Sequence, residues 1–146
     1  MKRFFLPLLL LGMLSPLMAA DGPSVRASLV WIRQAPPGVG VLAGYFVLTN
    51  LTDKPLTLTA VESPDFGSVE IHRSFIKNGV EEMEPASNIA IPAKGSVEFK
   101  PGSYHLMMMQ PKKNLFAGDM ASVTLTFSDG SQLALLAQVR RDPPQH

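Results

Sequence analysis

Two short segments of the chain combine histidine with methionine, two residue types that bind soft metal ions. The segment SYHLMMMQP, residues 103–111, places His105 beside three consecutive methionines. The segment SVEIHRSFIKNGVEEMEPA, residues 68–86, contains His72 and Met83. The chain has three histidines and no cysteine, so no thiolate is available as a metal ligand or as a nucleophile. These imidazoles and thioethers are therefore candidates for one metal site.

The dipeptide Asn78-Gly79 predicts a β-hairpin in the second segment and fixes which of its residues face each other. Counting outward from a two-residue turn, Ser74 lies opposite Met83. Because residues 72 and 74 share a face, His72 and Met83 become diagonal neighbours on that face, about 7–8 Å apart at the backbone. This prediction depends on the register, since a slip of one residue would move them to opposite faces.

The methionine-rich segment is predicted to be a strand, in which successive side chains point to opposite faces. His105, Met107 and Met109 then share one face, and Leu106 and Met108 share the other. Met108 is expected to fill core beside Leu106. Met107 stands with His105 on the opposite face, and a contribution of Met109 to a metal site stays open.

Two imidazoles and two thioethers without a carboxylate are a ligand set that suits Cu(I). Zinc usually recruits thiolate, imidazole or carboxylate, and calcium requires oxygen ligands. A blue-copper electron carrier needs a cysteine thiolate, which this chain lacks. From the pattern alone a metal-free interpretation stays open, because methionine commonly fills gaps in protein cores.

The first 20 residues have the layout of a secretory signal peptide. Lys2 and Arg3 precede the apolar run Phe4–Leu14, and the small residues Ala19-Ala20 follow. The apolar run is too short to span a bilayer. We predict cleavage after residue 20, with an uncleaved membrane anchor as the alternative. Cleavage leaves 11 basic against 12 acidic residues, a net charge of −1, with no basic stripe that would indicate nucleic-acid binding.

The rest of the chain is predicted to be all-β. Short runs rich in valine, leucine, threonine and aromatic residues are separated by turns, where most of the 13 prolines and 11 glycines lie. Alternation is clearest in SVTLTF, residues 122–127, which predicts a half-buried strand of a sandwich or barrel. We predict one domain over residues 21–140 and a disordered tail over residues 141–146.

The spacing of the four candidate ligands resembles a known family signature. His72, ten residues, Met83, twenty-one residues and then His105-Leu106-Met107 match the pattern H-x10-M-x21-H-x-M of the PCuAC-type periplasmic copper(I) chaperones. The blocks AGYFVLTN, VEIH, IPAKGSVEFKPGSYHLM and LFAGDMASVTLTF are also similar to that family. The resemblance covers most of the chain after the signal peptide, from about residue 43 to residue 127.

The resemblance implies a function and a fold. Members of the family have a cupredoxin-like Greek-key β-sandwich and bind Cu(I) at the positions that His72, Met83, His105 and Met107 occupy here. They are periplasmic and are associated with copper delivery to cytochrome oxidase. The implied partner is therefore a copper-accepting protein, either the binuclear copper centre of oxidase subunit II or another copper chaperone. We expect a monomer that binds no nucleic acid and, after signal cleavage, no membrane.

Several alternatives remain at this stage. Copper buffering or tolerance would use the same site without delivery, and a structural β-sandwich would use no metal. We expect no enzyme and no catalytic residues, because the chain lacks a nucleophile motif such as G-x-S-x-G. Predicted cleavage also exposes Asp21, which excludes a copper oxygenase that uses an N-terminal histidine. The chain lacks the His/Met-rich C-terminal extension of some relatives, and His146 stands alone in its tail.

Overall fold

A computed structural model describes residues 22–145 of the chain. The predicted signal peptide and His146 lie outside the described residues. All the regular elements in the described part are β-strands, joined by turns and loops. These are β1 (Val25–Arg33), β2 (Val41–Asn50), β3 (Leu56–Glu62), β4 (Phe66–Lys77), β5 (Val80–Ala86), β6 (Ile89–Ile91), β7 (Ser96–Phe99), β8 (Tyr104–Pro111), β9 (Met120–Phe127) and β10 (Gln132–Arg140).

The ten strands form one open sheet in the order β5-β4-β8-β7-β2-β1-β10-β9-β3-β6, with an additional pairing between β8 and β2. Strands far apart in this order nevertheless touch, since β3 contacts β4 and β6 contacts both β2 and β7. The sheet therefore folds over onto itself and forms the two layers of a sandwich. Neighbours such as β4 and β8 are distant in sequence, as in Greek-key connections.

A core of aliphatic and aromatic side chains fills the space between the layers. Phe46 and Phe99 stack in it with ring centroids 4.5 Å apart. The alternation predicted for residues 122–127 is confirmed, because Val123, Leu125 and Phe127 of β9 are all buried. Among residues 22–145, no helix is long and apolar enough to cross a bilayer.

The hairpin between β4 and β5 has the predicted register. Asn78 and Gly79 both adopt positive φ angles, 50° and 77°, as a type I′ turn requires. Ser74 pairs with Met83. His72 is two residues before Ser74 on the same strand, so it shares a face with Met83.

The methionine run of β8 divides between the two faces of its strand as the alternation predicts. Leu106 and Met108 are buried in the core, with exposed fractions of 1% and 0%. Met107 and Met109 are only partly buried on the other face. Gly44 on β2 makes room for Met108, since a Cβ at that glycine would lie 3.0 Å from the Met108 sulfur.

The division of the methionine run predicts unequal contributions to stability. Met108→Ala should lower the free energy of unfolding by about 2–5 kcal/mol, because it leaves a cavity in the core. Met109→Ala should cost about 1 kcal/mol or less, as expected away from the core. Urea unfolding of both variants without added metal measures the difference. Equal losses would contradict the assignment of Met108 alone to the core.

Candidate metal centre

The two histidine-containing segments meet through the antiparallel pairing of β4 with β8. His72 lies directly opposite His105 in this pairing, and Glu70 lies opposite Met107. The two imidazole rings have centroids 6.0 Å apart and planes tilted by 48°. One ion fits between rings at this separation, since imidazole nitrogens bind metals at about 2.0–2.1 Å. The pairing thus places both imidazoles where they could bind the same metal ion.

The core side of the same two strands explains this register. Ile71 pairs with Leu106, and Val69 pairs with Met108, so apolar side chains face each other across the buried side. A shift of one residue would turn these apolar side chains to the outer face and turn the imidazole side of the strand toward the core. Burial on one face therefore selects the alignment of His72 with His105 on the other.

The environment of His105 leaves one ring nitrogen available. The side chain is buried, with an exposed fraction of 5%. Its Nδ1 lies 3.1 Å from the carbonyl oxygen of Ser103. Because a carbonyl oxygen can only accept, Nδ1 donates the hydrogen bond, and Nε2 of the neutral ring keeps its lone pair.

His72 is held by a side chain of its own strand. Its Nε2 lies 2.9 Å from the Oε2 atom of Glu70, and only 14% of the His72 side chain is exposed. The other ring atom, Nδ1, is buried and has no hydrogen-bond partner among the described residues. A buried imidazole nitrogen without a partner is unusual, and a bound metal ion would satisfy it.

The two thioethers differ in exposure. Met107 is half-buried on β8, between its partners Glu70 on β4 and Ala43 on β2. Met83 is 54% exposed on β5, which forms one edge of the sheet. The four candidate ligands thus comprise two shielded imidazoles, one half-buried thioether and one thioether that is open to solvent.

Met109 faces the same side of β8 as Met107 but lies two residues farther along the strand. Its partners are Ser68 on β4 and Val41 on β2. Two residues of a strand span about 6.6 Å, so the Met109 backbone is one full repeat away from that of Met107. Met109 therefore borders the four-ligand group and is not enclosed by it.

The four candidate donors are neutral, and Glu70 adds one carboxylate that contacts the His72 ring. Residues 22–145 contain no cluster of three or more histidine, cysteine, aspartate or glutamate side chains suited to a metal ion. Tyr45 on β2 lies on the same face as the site. Burial raises the pKa of its hydroxyl above the ordinary value, Arg33 opposes that rise and Glu81 adds to it, so the phenol stays protonated at neutral pH. Imidazole and thioether are the candidate donors on this face, and that pair of donor types favours a soft monovalent ion.

Sequence reasoning identified the four candidate ligands but missed the groups that orient the two rings. Glu70 binds Nε2 of His72, and the Ser103 carbonyl binds Nδ1 of His105, so each ring is held through one of its nitrogens. The Glu-x-His pattern in VEIH was an available signal for the first, because residues two apart on a strand share a face. No side-chain pattern indicates a backbone carbonyl, so the second could not have been found.

Residues 25–139 match the family model described as "Putative lipoprotein LpqE-like". The chain is 35% identical over 127 residues to "Putative lipoprotein Lxx21020" of Leifsonia xyli subsp. xyli, covering 86% of this chain and 74% of that protein. It is also 36% identical over 103 residues to "Uncharacterized protein RP573" of Rickettsia prowazekii. That match covers 70% of this chain and 57% of the Rickettsia protein, so the chain spans less than two thirds of that relative.

Solved structures show the same fold. The copper-bound PCuAC domain from PmoF2 matches with a TM-score of 0.69 and 24% identity, covering 82% of this chain and 95% of that domain. The solution structure of CuI-DR1885 from Deinococcus radiodurans matches with a TM-score of 0.65 and 26% identity, covering 85% and 83%. These matches confirm the predicted cupredoxin-like β-sandwich. The chain therefore belongs to the LpqE-like family, which is the PCuAC-type family that its motif spacing resembles.

Proposed function

We propose that this protein is a copper carrier that binds Cu(I) through His72, Met83, His105 and Met107 and passes it to another copper protein. The observation that carries the proposal is that strand register puts two imidazoles and two thioethers on the same face of β4, β5 and β8. Copper binding in two solved PCuAC relatives supports the same assignment of the metal.

The donor chemistry favours Cu(I) over other common ions. Thioether sulfur is soft and uncharged, and imidazole is intermediate, so a mixed set of the two binds Cu(I) well. Cu(II) and Zn²⁺ would recruit more nitrogen, oxygen or thiolate ligands than this face provides. The unpartnered Nδ1 of His72 adds a specific reason to expect an ion here.

The exposed thioether gives the site a route for transfer. Met83 at the sheet edge can leave the ion and admit a ligand from an acceptor, while the two shielded imidazoles still hold it. Four neutral ligands leave the ion its positive charge, which attracts an anionic acceptor ligand such as a thiolate. Transfer by stepwise ligand exchange therefore suits this arrangement better than permanent storage.

We also propose that the protein acts outside the cytoplasm, in the periplasm. The segment of residues 1–20 has the pattern of a signal peptide. The family description and one relative name lipoproteins, which supports an extracytoplasmic location. A thiol-free site suits an oxidising compartment, where exposed thiols are oxidised.

The proposed acceptor is the binuclear copper centre of cytochrome c oxidase subunit II, with another copper chaperone as the alternative. The resemblance to PCuAC-type chaperones supports this assignment. Copper buffering or tolerance is the competing function for the same site, and no catalytic role is proposed.

Cu(I) should stabilise the protein against heat, because a ligand that binds only the folded state raises its stability. At free Cu(I) 100 times the Kd the gain is about 2.7 kcal/mol. The double variant His72→Ala/Met107→Ala should show no gain. Thermal melts under reducing conditions, with and without Cu(I), measure the effect.

The matched control for this melt is Met120→Ala, which removes an exposed methionine of β9 outside the proposed site. It should keep the full Cu(I)-induced shift. A wild-type protein whose melting temperature does not respond to Cu(I) would contradict the proposed function. An unchanged shift in the double variant would contradict the ligand assignment alone.

Delivery and buffering predict different transfer kinetics. Direct handover to the copper-free soluble domain of oxidase subunit II should proceed at a rate that rises with acceptor concentration. Release followed by recapture, as in buffering, should proceed at a constant rate set by spontaneous dissociation. Stopped-flow transfer at several acceptor concentrations, with a small-molecule chelator as the control acceptor, separates the two. A rate independent of acceptor concentration would contradict delivery to this acceptor.

A further inference from the structure

We propose that Glu70 is a positioning residue that makes His72 bind copper through Nδ1, whereas His105 binds it through Nε2. The inference rests on the proposed function, since it concerns how the same site holds Cu(I). Two histidines that face each other across one strand pair would thus bind the ion through different ring nitrogens.

A hydrogen bond joins the Glu70 carboxylate to the His72 ring. The two residues alternate on β4, so their side chains project from the same face. The distance from Nε2 to Oε2 is 2.9 Å. A carboxylate can only accept, so Nε2 carries the proton in the neutral ring and the lone pair resides on Nδ1. Glu70 thereby selects the tautomer that presents Nδ1 as a ligand.

The Nδ1 lone pair of His72 is isolated within the described part of the protein. Nδ1 of His72 is buried and has no hydrogen-bond partner among the described residues. A buried acceptor left without a partner lowers stability, so a folded protein rarely retains one without use for it. The ring of His105, the residue paired with His72, lies with its centroid 6.0 Å from that of His72. An ion shared by the two rings would give Nδ1 its missing partner.

At His105 the other ring nitrogen, Nδ1, makes the hydrogen bond. There Nδ1 donates to the Ser103 carbonyl at 3.1 Å, so the lone pair resides on Nε2. Each ring is thus fixed by an oxygen on one nitrogen and left free on the other, as is general for metal-binding histidines. Here the two rings are fixed through different nitrogens, Nε2 of His72 and Nδ1 of His105.

Glu70 carries the carboxylate in direct hydrogen bond with a proposed ligand, and it also lies opposite Met107. A carboxylate bonded to a ligating imidazole increases the ring's donor strength. A merely structural contact at this 54% exposed side chain would instead contribute little, as exposed ion pairs do.

The identity of the coordinating nitrogen is directly measurable. Long-range ¹H–¹⁵N correlation spectra of the ¹⁵N-histidine-labelled protein distinguish protonated, free and metal-bound ring nitrogens. The metal-free protein should show His72 protonated at Nε2 and His105 protonated at Nδ1. Cu(I) added under anaerobic conditions should shift Nδ1 of His72 and Nε2 of His105. Coordination of His72 through Nε2 would overturn the inference.

Substitution of Glu70 tests its role separately. Glu70→Gln, which removes the charge, should weaken Cu(I) binding about tenfold, the lower end of the 10–100-fold range for such partners. Glu70→Ala should also abolish the preference for the Nε2-protonated tautomer in the metal-free spectrum. The matched control is Glu98→Gln on β7, which removes a carboxylate of similar exposure, 48%, that lies near Lys100.

Glu98→Gln should leave the Cu(I) affinity within about twofold of the wild type, since single surface charges have small effects. An equal affinity for Glu70→Gln and Glu98→Gln would overturn the positioning role. The two proposals fail in different ways. If neither histidine responds to Cu(I), the proposed function fails and this inference with it. If both respond, and His72 does so through Nε2, only this inference fails.

Discussion

The antiparallel pairing of β4 with β8 holds the two halves of the candidate metal site in one register. On the buried side, Ile71 faces Leu106 and Val69 faces Met108, so a slip would expose apolar surface. Full burial of a side chain of this size contributes about 1.5–3 kcal/mol, and Ile71, Leu106 and Met108 are all buried. The core therefore aligns the imidazoles, and the site inherits its geometry from hydrophobic packing.

The proposed copper site combines features that suit both retention and release of an ion. Two imidazoles are shielded from solvent and fixed through one nitrogen each, by Glu70 and by the Ser103 carbonyl. Met107 is half-buried, and Met83 lies at the sheet edge in contact with solvent. In the proposed function, preoriented imidazoles would lower the entropy lost on binding, and the exposed Met83 would leave a position that an acceptor ligand can enter. This combination suits the proposed carrier better than a protein that stores its metal permanently.

Much of this arrangement follows from the sequence by local rules. Asn78-Gly79 determines the hairpin register that puts His72 and Met83 on one face, and strand alternation assigns Met107 and Met108 to opposite faces. The pairing of β4 with β8 does not follow, because it is a contact between segments more than 20 residues apart and depends on packing of the whole core. The choice of ring nitrogen also escapes local rules, since it is set by side-chain conformation and by a backbone oxygen.

The position of Met83 on an edge strand has a consequence for solubility. An edge strand exposes unpaired backbone groups to which a strand of another chain can add. β5 cannot be covered without hiding the thioether, so protection must come from its own side chains. Glu81, Glu82 and Glu84 place charge along this edge, and Pro85 lacks a backbone donor. The residues that border Met83 thus discourage intermolecular sheet extension and aggregation while leaving the Met83 sulfur exposed.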